Sequence, residues 1–404
     1  MKQLGRWKGK KWYHQRFDGC PYFMHFIAEA EIDYHKERKK DGAFSVHYSY
    51  FEGGRGDWYI AMEDIEKVTK YVIELSRKNP KIGKKLISLW DRDDKNFYAK
   101  CRSFEKIRVD GLTDRELMKL HDEFAEVALK RFSSSSIIDG FALGTDEIIA
   151  DQIKKIYDKS NLGMKFTEVF SILTAPVDIS FINKAEVELL KVGLQIKDIE
   201  DDKARKLLEK HQKENFWILN NYITAQVLDV NHFKEELKAI FNSKIDIKKE
   251  IDKIEGTPSL NIKKKKELMG KMELSDGLKE LIAISEDFTK WQDDRKHATY
   301  WASHYFSLLL EEIAKRVGLS LDEIKFMTCR EVSDVFDGVD KKELQARMKN
   351  CIYYWDINGL ECVSGVEAMK VRDKILGVSD LSDVDDFRGL TASPGRATGK
   401  VKVL

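Results

Sequence analysis

LIAISEDFTKWQDDRKHATYWASHYFSLLLEEIAKRV, from Leu281 to Val317, contains no proline and no glycine. Fully helical, it would reach roughly 55 Å at ~1.5 Å per residue. Its apolar residues recur at steps of four and three: Ile284, Phe288, Trp291, then Ala298, Ala302, Tyr305 and Leu309. That is the spacing of a helix with one face in a core. One step is missing, and it falls on Arg295, inside the run Asp293-Asp294-Arg295-Lys296-His297. A guanidinium in a core-facing stripe must be paired or line a polar cavity. Two readings stay open. Arg295 forms an ion pair with an acid on a neighbouring helix, or it serves an anion site, since its planar fork of donors suits phosphate.

The rest of the composition agrees with a helical chain. Only five prolines interrupt 404 residues, which favours long helices. The chain is 42% apolar and 34% charged, the balance of a soluble globular protein with room for two or three domains. Seventy Lys and Arg against 69 Asp and Glu leave a net charge of +1, with no general push toward nucleic acid or a membrane surface. There is no apolar run of membrane-spanning length and no secretory h-region, so a cytoplasmic location is expected. Five cysteines, none in C-x-x-C spacing, argue against a disulfide framework and a paired-cysteine zinc site. His297 and His304 lie seven residues apart, roughly 10 Å along a helix, too far to share one metal. No metal site is expected.

Residues 1 to about 62 read as mixed α and β. Phe44 to Phe51 alternates, the glycines of Glu52 to Asp57 form a loop, and Trp58-Tyr59-Ile60 returns as a second strand, a hairpin with a longer turn. The Gly-Gly-Arg-Gly loop lacks phosphate-loop spacing. From Asp64, expected as a cap, the pattern turns helical to about Lys78. Thr113-x-x-Glu116, Ser320-x-x-Glu323 and Thr328-x-x-Glu331 read as capping boxes. The serine run Ser133 to Ser136 and Gly140 read as a break. Further helices are expected near 146–159, 184–192, 201–229, 232–241, 263–274, 341–355 and 366–375, and 380–388 reads as an acidic linker.

The last residues carry a more specific pattern. Gly389-Leu390-Thr391-Ala392-Ser393-Pro394-Gly395-Arg396-Ala397-Thr398-Gly399-Lys400-Val401 resembles the opening of the swivelling phosphohistidine domain of phosphoenolpyruvate-utilising enzymes. That family includes phosphoenolpyruvate synthase, pyruvate phosphate dikinase, rifampin phosphotransferase and phenylphosphate synthase. Phe170 to Pro176, the helix around Glu186 to Leu190, Asp294-Arg295-Lys296, Glu311 to Ala314 with Gly318-Leu319-Ser320, and Gly365 to Ala368 look like the helical region of the rifampin phosphotransferase branch. The resemblance implies that an ATP-grasp domain phosphorylates a histidine, the swivel domain carries it, and the helical region holds the phosphoryl acceptor. No ATP-grasp domain fits into residues 1 to about 100, and the carrier histidine normally follows the Ser-Pro-Gly turn beyond the point where this sequence stops. Ala302-Ser303-His304 imitates the carrier motif but falls inside a helix without the preceding glycines, and is not assigned to it.

The expected architecture is mainly α. Residues 1–99 form a mixed α+β part with a hairpin, 100–380 a helical acceptor-binding domain, and 381–404 a linker and the start of an incomplete swivel domain. The resemblance implies a dikinase-type phosphotransferase whose 404 residues alone are inactive. Its partners would be a small-molecule acceptor and a separate ATP-binding part, without nucleic acid or membrane. ATP and magnesium serve the complete system, and no cofactor belongs to this chain. Arg295 and Lys296, with Arg347 third, are the residues expected to stabilise the transferring phosphoryl group. Trp291, Trp301 and Tyr305 are expected to line the acceptor pocket, although helical spacing alone would make them core. The alternative is a non-enzymatic helical ligand-binding or interaction protein keeping a remnant of the family.

Overall fold

The computed structural model describes residues 10–38 and 42–376; the Ser393-Pro394-Gly395 turn and the whole expected segment 381–404 lie outside the described residues. In chain order, β1 (Trp12–Asp18), α1 (Pro21–Arg38), β2 (Val46–Glu52) and β3 (Arg55–Ala61) lead into α2 (Met62–Lys78), α3 (Ile82–Ser103), α4 (Asp114–Ser135) and α5 (Ile137–Tyr157). Then come α6 (Phe166–Thr174), α7 (Phe181–Gln195), α8 (Asp202–Asn215), α9 (Val230–Asn242), α10 (Ile247–Lys271) and α11 (Asp276–Val317). The short α12 (Leu321–Ile324) and α13 (Cys329–Ser333), α14 (Lys341–Lys349), β4 (Asn350–Asp356), β5 (Gly359–Ser364) and α15 (Gly365–Val371) complete the set. The chain is mainly α, and the described residues include one antiparallel sheet in the order β1-β3-β2-β4-β5.

The quoted stretch lies within α11, which begins at Asp276 with Ser275 as its cap and ends at Gly318, whose φ of 67° suits glycine. Every apolar member of the stripe is buried. The helix runs through two separate core clusters. Its first half, to Trp291, packs with α2, α3, α5 and α6, and its second half, from Ala298, packs with α1, α3 and α4. Arg295 falls where the two cores meet.

Several expectations change at the level of elements. The hairpin turn is short: Gly53 and Gly54 alone join β2 to β3, with φ of 57° and 79°, and Glu52 pairs with Arg55. Two successive positive φ values are what a tight I′-type hairpin needs. The region expected as a helix to residue 355 stops at Lys349, and Cys351 to Trp355 is a strand buried on both faces between β2 and β5. Its run of aromatic and β-branched residues suits a central strand. This sheet unites residues 12–61 with 350–364 and crosses the expected boundary at 99.

The serine run does not break the chain either. Ser134, Ser135 and Ser136 donate back to carbonyls three or four residues earlier, between 3.0 and 3.4 Å, and α5 starts almost at once. Gly140 is a packing residue. A Cβ there would stand 2.5 Å from Val68 Cγ1, so glycine lets α5 lie close on α2, and Thr69 Oγ1 donates to the Gly140 carbonyl at 3.0 Å. Asp64 lies in the first turn of α2 without capping it; its carboxylate accepts from Ser45 N and Oγ at 2.8 and 2.7 Å. The expected helix 201–229 ends at Asn215, because Asn220 and Asn221 accept backbone N–H groups and hold an irregular loop. The three capping boxes at Thr113, Ser320 and Thr328 all form. Among the described residues, no helix is long and apolar enough to cross a membrane.

Candidate functional site

Arg295 forms the ion pair that one of its two readings expects. Its Nη1 and Nη2 donate to the two carboxylate oxygens of Asp139 on α5, at 2.7 and 2.5 Å. This is the fork-to-fork geometry that arginine makes with carboxylates. The pair also stands in the wall of a cavity of about 580 Å³. Its side chains keep 16% and 12% of their surface accessible, so the ion pair is reachable from that space. The volume falls within the range of small-molecule sites.

Several parts of the chain enclose the cavity. Helix α11 contributes Lys290, Asp293, Arg295 and Lys296, and the segment 176–180 before α7 forms one lip. That lip is tied to α10, where Asn261 donates to the Pro176 carbonyl at 2.8 Å and Lys265 to the Ala175 carbonyl at 3.0 Å. Lys265 also pairs with Glu286. From the loop after α8 comes Tyr222, anchored because Cys20 Sγ donates to its carbonyl at 3.5 Å and Lys325 Nζ to that of Ile223 at 2.8 Å. Helix α1 contributes Ile27, Ala30 and Glu31, and the sheet contributes Gln15 and Trp58.

Behind the ion pair lies a second acid. Glu31 on α1 is 1% exposed, and neither of its carboxyl oxygens has an aligned protein hydrogen-bond donor. Its neighbours are the Asp139 carboxylate and His47 Nε2, the latter 2.5 Å away. Burial, and then the charge of Asp139, push Glu31 well above the usual carboxylate range. Asp139 moves the other way. Burial raises it, but the charge and hydrogen bonds of Arg295, with a hydrogen bond from Glu31, bring it below its ordinary value. The consistent assignment is one proton on Glu31, donated toward Asp139, beside the arginine. His47 fits this arrangement. Trp58 Nε1 donates to its Nδ1 at 2.9 Å, which leaves the ring proton on Nε2, facing Glu31. Burial lowers His47 to about 4, so the ring is neutral. Arg295, Asp139 and protonated Glu31 together carry no net charge.

Of the residues singled out in the sequence, Arg295 and Lys296 both line this cavity. The other four do not. Arg347 sits on α14 against β4, held by Glu331 at 2.7 Å, Glu343 at 3.1 Å and the Tyr353 hydroxyl at 3.3 Å. Trp291 is fully buried between Trp90 and Phe288, at ring separations of 6.0 and 5.5 Å. Trp301 packs on Tyr98 and Phe216, and Tyr305 on Phe104 and Phe124. These three aromatics are core, as their helical spacing alone would have it. Spacing alone does not single out Glu31, His47, Asp139 and Tyr222. A signal existed for Asp139 and Glu31, since each is an acid flanked by apolar residues, in Ile137-Ile138-Asp139-Gly140-Phe141 and Ala28-Glu29-Ala30-Glu31-Ile32.

Among the described residues, no group of three His, Cys, Asp or Glu is arranged to hold a metal ion. Neither the protein-family models nor the curated proteins include a match to this chain.

Proposed function

We propose that this chain is the acceptor-binding portion of a phosphotransferase of the phosphoenolpyruvate synthase type, and that the cavity beside Arg295 holds the acceptor. One observation carries the reading. Two of the stretches that resemble the helical region of the rifampin phosphotransferase branch, Phe170 to Pro176 and Asp294 to Lys296, converge on the same cavity through Pro176, Arg295 and Lys296. They are separated by more than a hundred residues in sequence, so nothing local brings them together.

Phosphoryl transfer is governed by positioning and charge. The acceptor lies against Ile27, Phe132 and Tyr222, while Lys296, exposed at the rim, meets the incoming phosphoryl group. Two of the Arg295 N–H groups are engaged by Asp139, so its contribution is a fixed positive charge rather than an open fork. ATP, magnesium and the carrier histidine belong to the rest of the system, and the work is done in the cytoplasm.

The test uses the complete system, this polypeptide with its ATP-binding part and swivel histidine, given radiolabelled ATP and a panel of small alcohols, phenols and amines. Label should pass to a small molecule that separates from protein, and Lys296→Ala should slow that passage by about 10²-fold, the loss typical of one charge-stabilising donor. The 404-residue chain alone should take up no acid-labile label. Label that never leaves the protein, or Lys296→Ala transferring at the normal rate, would count against the assignment.

A further inference from the structure

We infer that the cavity takes a ligand bearing a protonated nitrogen on an apolar body, held against Glu31 and Asp139. This names the class of acceptor and rests on the proposed function only in taking this cavity as the ligand site. The first ground is the balance of charge. The lining carries the carboxylates of Asp139, Asp178, Glu286 and Asp293 and the protonated carboxyl group of Glu31. Its cations are Lys290, Arg295 and Lys296. Glu286 is answered by Lys265 from outside the lining, and Lys290 by Asp294. Asp139 answers Arg295. With Glu31 holding its proton, what remains is Asp178 and Asp293 against Lys296, one negative charge in excess around the cavity.

The second ground is Glu31 itself. It lines the cavity, it is almost wholly buried, and neither carboxyl oxygen meets an aligned donor. The groups that face it are His47 from β2, Asp64 from α2, Asp139 from α5 and Arg295 from α11. The two acids among these disfavour its charge. Asp64 is occupied by Ser45 and Lys67, and Arg295 is committed to Asp139. Tyr13 from β1 and Tyr222 from the loop face Asp139. A buried acid that keeps its place by holding a proton beside a like charge can exchange that proton for a cation that enters the cavity. An ammonium or amidinium supplies both donors and charge, and the flanking rings of Trp58, Phe132 and Tyr222 offer faces to a cation and its apolar body.

Proton balance gives the inference a signature. The ligand enters carrying its positive charge, Glu31 releases its proton to solvent, and the charge within the cavity stays constant. Anionic ligands have no such exchange available.

Three probes of one shape decide it: 2-phenylethylammonium, 2-phenylethanol and phenylacetate, each titrated into the purified chain by saturation-transfer NMR and by calorimetry in two buffers of different protonation enthalpy. The ammonium should bind at least about tenfold more tightly than the alcohol, a difference of ~1.4 kcal/mol. It should release up to one proton, and its affinity should rise with pH while that proton remains to be released. Glu31→Gln should abolish the release and bring the ammonium to the affinity of the alcohol. The wild-type comparison of three probes stands even where that variant folds poorly. Tightest binding by the alcohol or phenylacetate, no binding by any probe, or ammonium binding without proton release would overturn the inference. Transfer to a neutral alcohol by the complete system, with no ammonium binding, would remove the cationic ligand and leave the phosphotransferase reading intact. Ammonium binding with proton release but no transfer would do the reverse.

Discussion

Replacing Arg295 by methionine keeps most of the apolar stem on α11 and removes the charge that Asp139 faces. Asp139 is then a carboxylate with 12% of its side chain accessible, beside a second carboxyl group and without its two N–H donors. Breaking a buried pair from one side costs about 3–5 kcal/mol. Asp139 has one escape, which is to take up a proton. From an ordinary aspartate pKa near ~3.9, holding that proton costs about 4 kcal/mol at pH 7 and about 1.5 kcal/mol at pH 5. The penalty of Arg295→Met should therefore shrink by ~1.4 kcal/mol for each pH unit lowered. The sign is opposite in the wild type. There Asp139 is depressed, so its contribution is present above the unfolded aspartate pKa and is lost as pH falls through the lower folded value.

Urea unfolding at pH 5 and pH 7 reads both effects. The companion variant, Arg295→Met with Asp139→Asn, removes the orphaned charge and should recover ~2–3 kcal/mol of the loss at pH 7, a coupling within the range for residues in direct contact. An equal loss at both pH values, or no recovery in the double variant, would refute the ion-pair argument. Transfer by the complete system supplies a separate readout. If the fixed charge of Arg295 also steadies the phosphoryl group, turnover per folded molecule should fall by about 10²–10³-fold in Arg295→Met. Destabilisation with normal transfer per folded molecule would reduce Arg295 to a structural part.

Glu31 has a folded pKa above its unfolded one, so its contribution is fully present below about 4.5 and is lost as pH rises; Glu31→Gln should match the wild type near pH 4.5 and exceed it in urea midpoint at pH 8. His25, His47, His211, His297 and His304 are lowered by burial, the first to about 3 and the others to about 4, so the unfolded chain binds protons that the folded one refuses. The Glu31→Gln variant should thus lose stability as pH falls from about 6.5, by up to ~1.4 kcal/mol per pH unit for each histidine, and a flat profile over that range would contradict the assignment. Gly140→Ala sets a Cβ 2.5 Å from Val68 Cγ1 and 2.7 Å from Val68 Cβ, so it should cost about 1–3 kcal/mol by overpacking and disturb Asp139 next door. Gly256→Ala on α10 meets nothing within 4 Å and should gain ~0.5–1 kcal/mol, both readable from urea midpoints.

What could be read from the sequence was what a single segment reports about its own environment. The stripe on α11, its interruption at Arg295 and the three capping boxes are local patterns, and they appear as expected. Helix α1 was invisible because from Pro21 to Ile32 it is buried almost all round, with the sheet on one side and α4 on another, so its apolar residues form no stripe. Strand β4 does not show as a strand in its local sequence because its pairing partner β2 lies some three hundred residues earlier. The candidate site was half legible for the same reason. A charge in an apolar stripe announces that it needs a partner, but nothing in the spacing says that the partner is Asp139. The loop bearing Tyr222 is fixed by Asn220 and Asn221, whose turn chemistry overrides the helical pattern expected over 201–229.

The pairing of Arg295 with Asp139 can be accounted for by structure alone, and Glu31 cannot. A single carboxylate takes a bidentate pair of N–H groups from Arg295 and answers its charge. Were the cluster there only to join the two cores along α11, apolar side chains of similar volume would do so at no greater cost, since buried ion pairs add little net stability over such replacements. A second acid makes matters worse for folding, because it is buried beside a like charge and keeps its place by holding a proton. Glu31 therefore lowers stability at neutral pH relative to a glutamine in the same position. A residue that is costly to the fold, lines the cavity and has no aligned donor is explained by what the cavity receives. On that argument, Glu31 rather than Arg295 is the residue whose substitution separates a ligand site from a merely well-packed helical core.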